Sequence, residues 1–302
     1  MRSAVLRNVY RSRYLYLLIA PVAAYYILFH YVPMYGAQIA FRDFNPYEGI
    51  WGSKWVGLKY FEQFFSSVYF ERLMSNTLNI NLYSLVVGFP APIILALMIN
   101  EVRSNLLRRG IQTVVYIPHF ISLVVVVGMI LSFLSPSSGI VNALITAFGG
   151  QPVHFMAEPA WFKTIYVFSG IWQEAGWSCI IYLAALAGID PHMYEAAVVD
   201  GASRWQRMIR ITLPCLVPTI IVMLILRMGG LFNVGFEKIM LMYNPITYET
   251  ADVISTYVYR RGIQGGEYSF STAVGLFNSG INMIMLLAFN SLSKRFNGTS
   301  LW

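Results

Sequence analysis

The chain has 302 residues, of which 57% are hydrophobic and only 12% are charged, and its formal net charge is +7 at pH 7. The charged share is about half that of typical soluble domains, and a soluble fold could not bury so much apolar surface. The basic residues lie between long apolar runs rather than in one patch, which excludes a nucleic-acid-binding surface. Composition therefore favours a membrane protein.

The first apolar run begins after Arg2, Arg7, Arg11 and Arg13, as in a signal peptide. Residues 14–35 are too many for the apolar region of a signal peptide, so we expect a retained first span. The two cysteines, Cys179 and Cys215, have no metal-ligand or disulfide spacing, and no metal site is expected.

Six segments are long and apolar enough to cross a membrane, namely 14–35, 77–100, 111–134, 164–188, 216–236 and 272–293. A span needs about 20 mostly apolar residues, and backbone groups in lipid are satisfied by a helix. Three prolines, Pro90, Pro92 and Pro118, predict kinks rather than breaks. No soluble domain boundary is visible. Residues 1–302 are therefore predicted to form one all-α integral membrane domain with six transmembrane helices.

The distribution of Lys and Arg orients these spans. With the N-terminus inside, the inner segments contain 12 such residues and the longer outer segments contain eight. The positive-inside rule then predicts that both termini are cytoplasmic. Three outer segments, 36–76, 135–163 and 237–271, are long for simple connections. We expect short helices there that dock a partner, or that merely cap the bundle.

The longest inner segment, 189–215, has the pattern of a helix–turn–helix at the cytoplasmic surface. Asp190 can cap a helix, and Pro191 suits its first turn. Gly201 allows a sharp turn. A second amphipathic stretch follows and is predicted to end at Leu213-Pro214 before the fifth span.

The spacing within this segment resembles the EAA loop of binding-protein-dependent ABC importer permeases. Glu195-Ala196-Ala197 is followed after three residues by Gly201, and after nine more by Ile211, one residue and Leu213-Pro214. The resemblance implies a type I ABC importer permease fold, in which this loop is the coupling helix that docks on an ATPase subunit. By position, the coupling residues would be Glu195, Ala196, Ala197, Asp200, Gly201, Ile211, Leu213 and Pro214.

Further motifs are similar to those of LplB-type permeases, a branch that imports oligo- and polysaccharides: Tyr31–Tyr35, Phe41–Pro46, Phe89–Pro92, Tyr116–Ser122 and Gly298–Trp302. The resemblance implies a multi-pass protein of the bacterial inner membrane. It also implies a second homologous permease, two ATPase subunits, an extracytoplasmic solute-binding protein and an oligosaccharide substrate. The sequence lacks the Gly-x-x-x-x-Gly-Lys-Ser/Thr phosphate loop. We therefore expect a non-catalytic subunit that binds no cofactor, with ATP and Mg on its partners.

Ionisable residues within spans are functional candidates. Glu174 and Arg227 lie in the fourth and fifth spans at similar depths, roughly 14–15 Å from the outer face, and are predicted to pair. The predicted solute pathway comprises Gln173, Glu174, Trp177, Arg227, Asn233, Phe236 and Glu237. Each residue could instead serve packing alone. His119 is interpreted as a structural residue near the inner face, and Asn278 and Asn282 as hydrogen-bonding residues between subunits.

Three alternatives stay open. The same machine could carry a non-sugar solute such as an amino acid or phosphate. A membrane enzyme would require paired catalytic groups at one depth, of which only Glu174 and Arg227 are visible. A membrane scaffold would not need the spacing between Glu195 and Pro214.

Overall fold

The structure, a computed structural model, describes residues 12–297 and 300. Three of the arginines used to orient the N-terminus, Arg2, Arg7 and Arg11, lie outside the described residues. So does most of the C-terminal motif Gly298–Trp302.

The described chain is almost entirely helical, with one short hairpin. Its strands are β1 (Arg42–Asp43) and β2 (Lys54–Trp55). Its helical segments, in chain order, are α1 (Arg13–Phe41), α2 (Gly49–Gly52), α3 (Lys59–Phe65), α4 (Phe70–Asn100), α5 (Asn105–Phe120), α6 (Leu123–Phe133), α7 (Ile140–Ala147), α8 (Pro159–Ala187), α9 (Pro191–Val199), α10 (Arg204–Met228), α11 (Phe236–Met242), α12 (Tyr248–Ala251), α13 (Ile254–Tyr259) and α14 (Tyr268–Asn297).

Within the described residues, four single helices are long and apolar enough to cross a membrane: α1, α4, α10 and α14. The bent pair α5 and α6 would make a fifth span if it crosses as one unit. The remaining long helix, α8, has 29 residues but is less apolar than these. Its sequence includes Lys163, Gln173 and Glu174 among apolar residues.

The third predicted span, 111–134, is broken rather than kinked. Helices α5 and α6 meet at 96°. Pro118 lies in the last turn of α5, which has tightened to a 3₁₀ helix, and Ile121 is extended. Ser122 then caps α6 by accepting a hydrogen bond from the Val125 amide at 3.4 Å. The prediction of a kink was wrong because it considered the proline without the new N-cap that follows it.

The fifth predicted span, 216–236, is displaced toward the N-terminus. Helix α10 already begins at Arg204 and passes through Leu213-Pro214, where the sequence predicted an end. A π-helical turn, Met208–Thr212, precedes the proline, and such a turn accommodates the missing backbone donor. Helix α10 ends at Met228, and residues 229–235 are not helical.

The structure divides into two compact units, of which the first comprises Met1–Ser67 and Val258–Phe277. Its hairpin is antiparallel, with Arg42 opposite Trp55 and Asp43 opposite Lys54. The hairpin was not predicted, because two-residue strands leave no alternating pattern. The Arg42 guanidinium lies 5.6 Å and 5.5 Å from the ring centroids of Trp51 and Trp55.

The second unit comprises Val68–Tyr257 and Asn278–Trp302 and is organised around α8. One end of α8 contributes Phe162 to a buried apolar cluster with Ile80 and Ile239. The other end contributes Cys179 and Tyr182 to a second cluster, shared with α4 and α10. At Gly176 the α5 backbone approaches so closely that a Cβ would lie 1.8 Å from the Val115 carbonyl oxygen. Helix α8 is therefore the scaffold of this unit.

Candidate functional site

The predicted coupling segment begins with a capped helix. The Asp190 carboxylate accepts a hydrogen bond from the His192 amide at 2.9 Å, and Pro191 occupies the first turn of α9. Aspartate at the N-cap and proline at the first helical position both favour initiation at this point. The helix start predicted from the sequence is observed.

The turn after α9 depends on Gly201, whose φ of +75° lies in the left-handed region. The Ala202 amide donates to the Ala197 carbonyl at 2.8 Å, which closes the helix end. Ser203 and Gln206 then form a capping box that starts α10. A side chain at Gly201 would meet no atom within 4 Å, so this glycine is required by the backbone conformation rather than by space.

One face of α9 is exposed although much of it is apolar. Val199 is 87% exposed and Met193 is 45% exposed. The Glu195 side chain, 71% exposed, lies 3.2 Å from His192. Ala196, Asp200 and Gly201 are also exposed, whereas Ile211 and Leu213 are partly buried on α10. The first five predicted coupling residues thus lie together, and the last three belong to the following helix.

A side-chain contact links α9 to α10. The hydroxyls of Tyr194 and Thr212 are 3.0 Å apart, and Thr212 is buried. Thr212 lies in the π-helical turn of α10. Movement of α9 would therefore be transmitted to α10 through this hydrogen bond as well as through the chain.

A cavity of about 450 Å³ is lined by five helices of the second unit, α4, α6, α8, α10 and α11. Pockets of roughly 300–1,000 Å³ hold small ligands. The polar side chains that line it are Ser84 from α4, Tyr166, Gln173, Glu174, Ser178 and Tyr182 from α8, Arg227 from α10 and Lys238 from α11. Gly170 and Gly235 also line it.

The cavity brings Glu174 and Arg227 to one site, but they have different partners. The Glu174 carboxylate lies 3.0 Å from His119 Nδ1. The Arg227 guanidinium donates to Ser84 Oγ at 2.8 Å. The predicted ion pair is therefore replaced by two separate contacts, because the last turn of α5 packs against α8 and places His119 beside Glu174.

His119 is also stacked on a neighbouring ring. Its centroid is 4.6 Å from that of Trp177, with the ring planes 2° apart, and Phe120 meets Trp177 edge-on at 5.5 Å. Trp177 is 43% exposed and Phe120 is 71% exposed. These residues form an aromatic surface beside Glu174. His119, assigned from sequence to the inner face, thus contacts the predicted pathway residues Glu174 and Trp177.

Lys238 is the most buried cation of the cavity, at 8% exposure. Its ammonium donates to the Tyr166 carbonyl oxygen at 2.9 Å and lies 4.9 Å from the Tyr166 ring centroid. The glycine at position 170 leaves room for it, since a Cβ there would be 3.3 Å from Nζ. From the sequence alone, Lys238 is only one of the eight basic residues of the outer segments.

Four predicted pathway residues do not line the cavity: Trp177, Asn233, Phe236 and Glu237. Asn233 accepts hydrogen bonds from the amides of Asn278 and Asn282, each at 3.1 Å. Asn282 also accepts from the Phe232 amide at 2.9 Å. The two asparagines of α14 were predicted to bond between subunits. In the structure they hold the non-helical segment after α10.

Gln173 has a structural role in addition to lining the cavity. It is buried, and its amide donates to the Ile121 carbonyl oxygen at 3.1 Å. Ile121 is the extended residue at the break between α5 and α6. The sequence signals that could have found this arrangement were Pro118-His119 and Ser122, which together mark a helix end and a new start.

Comparison with known proteins identifies the family. Residues 88–298 match the family described as binding-protein-dependent transport system inner membrane component. The chain is 46% identical to protein LplB of Bacillus subtilis (strain 168), covering 97% of this chain and 92% of that protein. It is 45% identical to the polygalacturonan/rhamnogalacturonan transport system permease protein YteP of the same strain, covering 98% and 92% respectively.

A solved structure agrees with this assignment. A chain of a bacterial ABC transporter involved in the import of the acidic polysaccharide alginate matches with a TM-score of 0.91 and 47% identity, over 97% of this chain and 99% of that one. A chain of the bacterial alginate ABC transporter in complex with alginate pentasaccharide-bound periplasmic protein also matches with a TM-score of 0.91 and 47% identity, over 98% of this chain and 99% of that one. The chain therefore belongs to the binding-protein-dependent transport system inner membrane component family, and it is the permease of a sugar or polysaccharide ABC transporter.

Proposed function

We propose that this chain is the translocating, non-catalytic subunit of an importer for oligo- or polysaccharides in the bacterial cell membrane. The observation that carries the proposal is the exposed apolar face of α9, with Glu195 and Gly201 at its edge. Exposed apolar surface next to charged residues is typical of a docking site. In this proposal, an ATPase subunit covers that face.

We further propose six spans with both termini in the cytoplasm. The spans are α1, α4, the bent pair α5 and α6, α8, α10 and α14. Helix α8 is the least apolar of them, and its polar residues Gln173 and Glu174 face the cavity and the break at Ile121. The excess of Lys and Arg on the inner segments supports this orientation.

The proposed assembly contains one second permease, two ATPase subunits and an extracytoplasmic solute-binding protein. The YteP and alginate transporter comparisons support such a machine for a polymeric sugar. ATP and Mg would bind the ATPase subunits. The chain itself would contact lipid, its partners and the sugar. None of these roles requires a metal or cofactor on this chain.

The proposed solute pathway runs along the cavity wall and the aromatic surface at Trp177. Aromatic faces stack on apolar sugar ring faces, and polar groups meet hydroxyls. Gln173, Glu174, Trp177 and Arg227 would form its central part. Asn233, Phe236 and Glu237, which do not line the cavity, would form its outer part.

The coupling role is tested in a purified complex with the partner permease and ATPase subunits. We expect Glu195→Gln to lower ATP hydrolysis stimulated by the binding protein by about 10-fold or more, because a charge-assisted hydrogen bond contributes about 1.5–3 kcal/mol. Gly201→Ala should act similarly, because its left-handed backbone would be strained by about 1–2 kcal/mol.

The matched control is Glu101→Gln, which removes an exposed carboxylate from another predicted inner loop. This variant should retain stimulated hydrolysis. Normal stimulation in both Glu195→Gln and Gly201→Ala would contradict the coupling role of α9. A complex that never responds to the binding protein would contradict the importer itself.

A further inference from the structure

The cavity of the second unit contains more positive charge than its own residues neutralise. Arg227 and Lys238 line it together with one carboxylate, that of Glu174. Neither cation takes part in the ion pairs found among residues 12–297. The carboxylate is already engaged by His119 at 3.0 Å. The cavity therefore has an excess of cationic donors.

Lys238 makes this excess unusual. Buried lysines are normally paired with a carboxylate, because removing an ammonium from water is costly. At 8% exposure, Lys238 has one hydrogen-bond acceptor among the described residues, the Tyr166 carbonyl oxygen at 2.9 Å. An ammonium has three donors. Two donors are thus left for a group that enters the cavity.

Arg227 also has hydrogen-bond donors that remain available, because a single nitrogen positions its side chain. Its Nη2 donates to Ser84 Oγ at 2.8 Å, which fixes the guanidinium at the cavity wall. The remaining N–H groups of the fork match the two oxygens of a carboxylate. The neutral serine positions this guanidinium without neutralising its charge.

Glu174 supplies the complementary chemistry in the same cavity. One of its oxygens, Oε2, contacts His119, and a carboxylate has about four acceptor positions. Hydroxyl groups of a sugar ring can donate to the acceptors that remain. A ligand with a carboxylate at one end and hydroxyls at the other would satisfy both sides of the cavity.

We propose that this cavity is a carboxylate subsite for a uronic acid unit of the transported oligosaccharide, with Arg227 and Lys238 binding the carboxylate and Glu174 accepting from ring hydroxyls. The proposal rests on the proposed function and adds a substrate class to it. A neutral sugar would leave the excess positive charge of the cavity without a counter-charge, and a sugar phosphate would be an alternative anion.

The test measures binding to the complex of this chain with its partner permease and ATPase subunits, in phosphatidylcholine nanodiscs without binding protein. The ligands are a trigalacturonate and its fully methyl-esterified form, which has the same rings without the charges. We expect the acid to bind at least about 10-fold more tightly than the ester, as charge-assisted hydrogen bonds require. Neutral lipid prevents anionic headgroups from occupying the site.

Single substitutions then show which residues cause the preference for the acid over the ester. Lys238→Met and Arg227→Gln should each reduce the ratio of the two affinities to within about 3-fold. Lys163→Gln removes a charge from the same unit at a residue that does not line the cavity, and should keep the ratio. Equal binding of acid and ester by the unaltered complex would overturn the proposal without any variant. So would retention of the ratio in both cavity variants, or its loss in Lys163→Gln.

The two proposals fail differently. If the binding protein stimulates ATP hydrolysis while acid and ester bind equally, the carboxylate subsite is wrong and the importer stands. If the complex shows no stimulation, the proposed function is wrong. If a phosphorylated trimer of a neutral sugar binds more tightly than trigalacturonate, the subsite is one for phosphate. That result would overturn the proposal of a uronate ligand.

Discussion

The proposed coupling loop and the proposed solute cavity differ in how their residues are brought together. The loop, α9 with the turn to α10, is built from neighbours in the chain: Asp190 caps the helix and Gly201 closes it. In the cavity, Ser84 and Arg227 meet across 143 positions, and His119 and Glu174 across 55. The loop is exposed at its apolar residues, whereas the cavity encloses a buried cation.

This difference separates recognition of a protein from recognition of a solute. A docking surface needs exposed side chains on a rigid local motif, which local capping can provide. A solute site needs donors and acceptors converging from several helices, which requires the fold of the whole unit. Both regions share one scaffold, because α8 leads into the loop and also lines the cavity. The predictions below separate the scaffold from the two sites.

The largest effect is expected from Gly176→Ala, which disturbs the packing of α8, the helix that both regions share. The added Cβ would lie 1.8 Å from the Val115 carbonyl oxygen, and α8 would have to move away from α5. Overpacking of this kind costs about 3 kcal/mol or more against a backbone atom. We expect little assembled complex, measured as the amount recovered by size exclusion and the temperature at which it dissociates.

The control for this change is Gly128→Ala, another glycine within a helix. A Cβ at Gly128 would meet no atom within 4 Å, and alanine favours helices. This variant should assemble at least as well as the original chain. Equal assembly of both variants would show that α5 and α8 do not approach each other as closely as the structure has them.

A smaller effect is expected from a change of pH, which should alter ligand binding in the cavity alone. Lys238 lies on α11, outside the candidate spans. Burial lowers the pKa of Lys238 from 10.5 to about 8, and the Glu174 carboxylate acts in the opposite direction. Because carboxylate binding needs the protonated ammonium, the preference for trigalacturonate over its ester should fall about 3- to 10-fold as the pH rises through about 8.

The control for the pH effect is a variant that changes only Lys238. Glu174 and Arg227 line the same cavity, so the control variant leaves both of these side chains unchanged. Lys238→Arg keeps a cation that stays protonated, so its preference should not change over the same range. A preference that falls equally in Lys238→Arg would assign the titration to another group.

The smallest effect concerns the link between loop and helix. Tyr194→Phe removes the hydroxyl that lies 3.0 Å from Thr212 Oγ1. One such hydrogen bond contributes about 1 kcal/mol, so the amount of sugar imported per ATP hydrolysed should fall up to about 5-fold. Tyr47→Phe, at a tyrosine that is 99% exposed, should leave this ratio unchanged. An unchanged ratio in Tyr194→Phe would mean that the chain connection alone couples α9 to α10.

The difference between the loop and the cavity also explains how much of each could be predicted from the sequence. Asp190, Pro191 and Gly201 act on their immediate neighbours, so the loop's helix start and turn could be predicted from residue types and spacing. Glu174 and Arg227 could be selected because charges are rare within apolar segments. That both line one cavity agrees with their predicted similar depths.

The partners of those charges could not be predicted, because they depend on distant contacts. His119 reaches Glu174 from the last turn of α5, next to the 96° bend between α5 and α6. Lys238 lies beside Tyr166 because Gly170 leaves space for its ammonium. Neither the bend angle nor the contact between helices is encoded in a local pattern. The π-helical turn before Pro214 has no local pattern either, which is why the start of α10 was placed too late.

The continuity of α10 has a mechanical consequence. The helix runs without interruption from Arg204, next to the Gly201 turn, to Arg227 at the cavity and Met228. At 1.5 Å per residue its ends are roughly 35 Å apart, more than the thickness of the bilayer's hydrocarbon core. An α-helix of this length behaves as a stiff lever. In the proposed importer, a tilt imposed at Arg204 by closure of the ATPase subunits would therefore displace the Arg227 guanidinium through the helix itself.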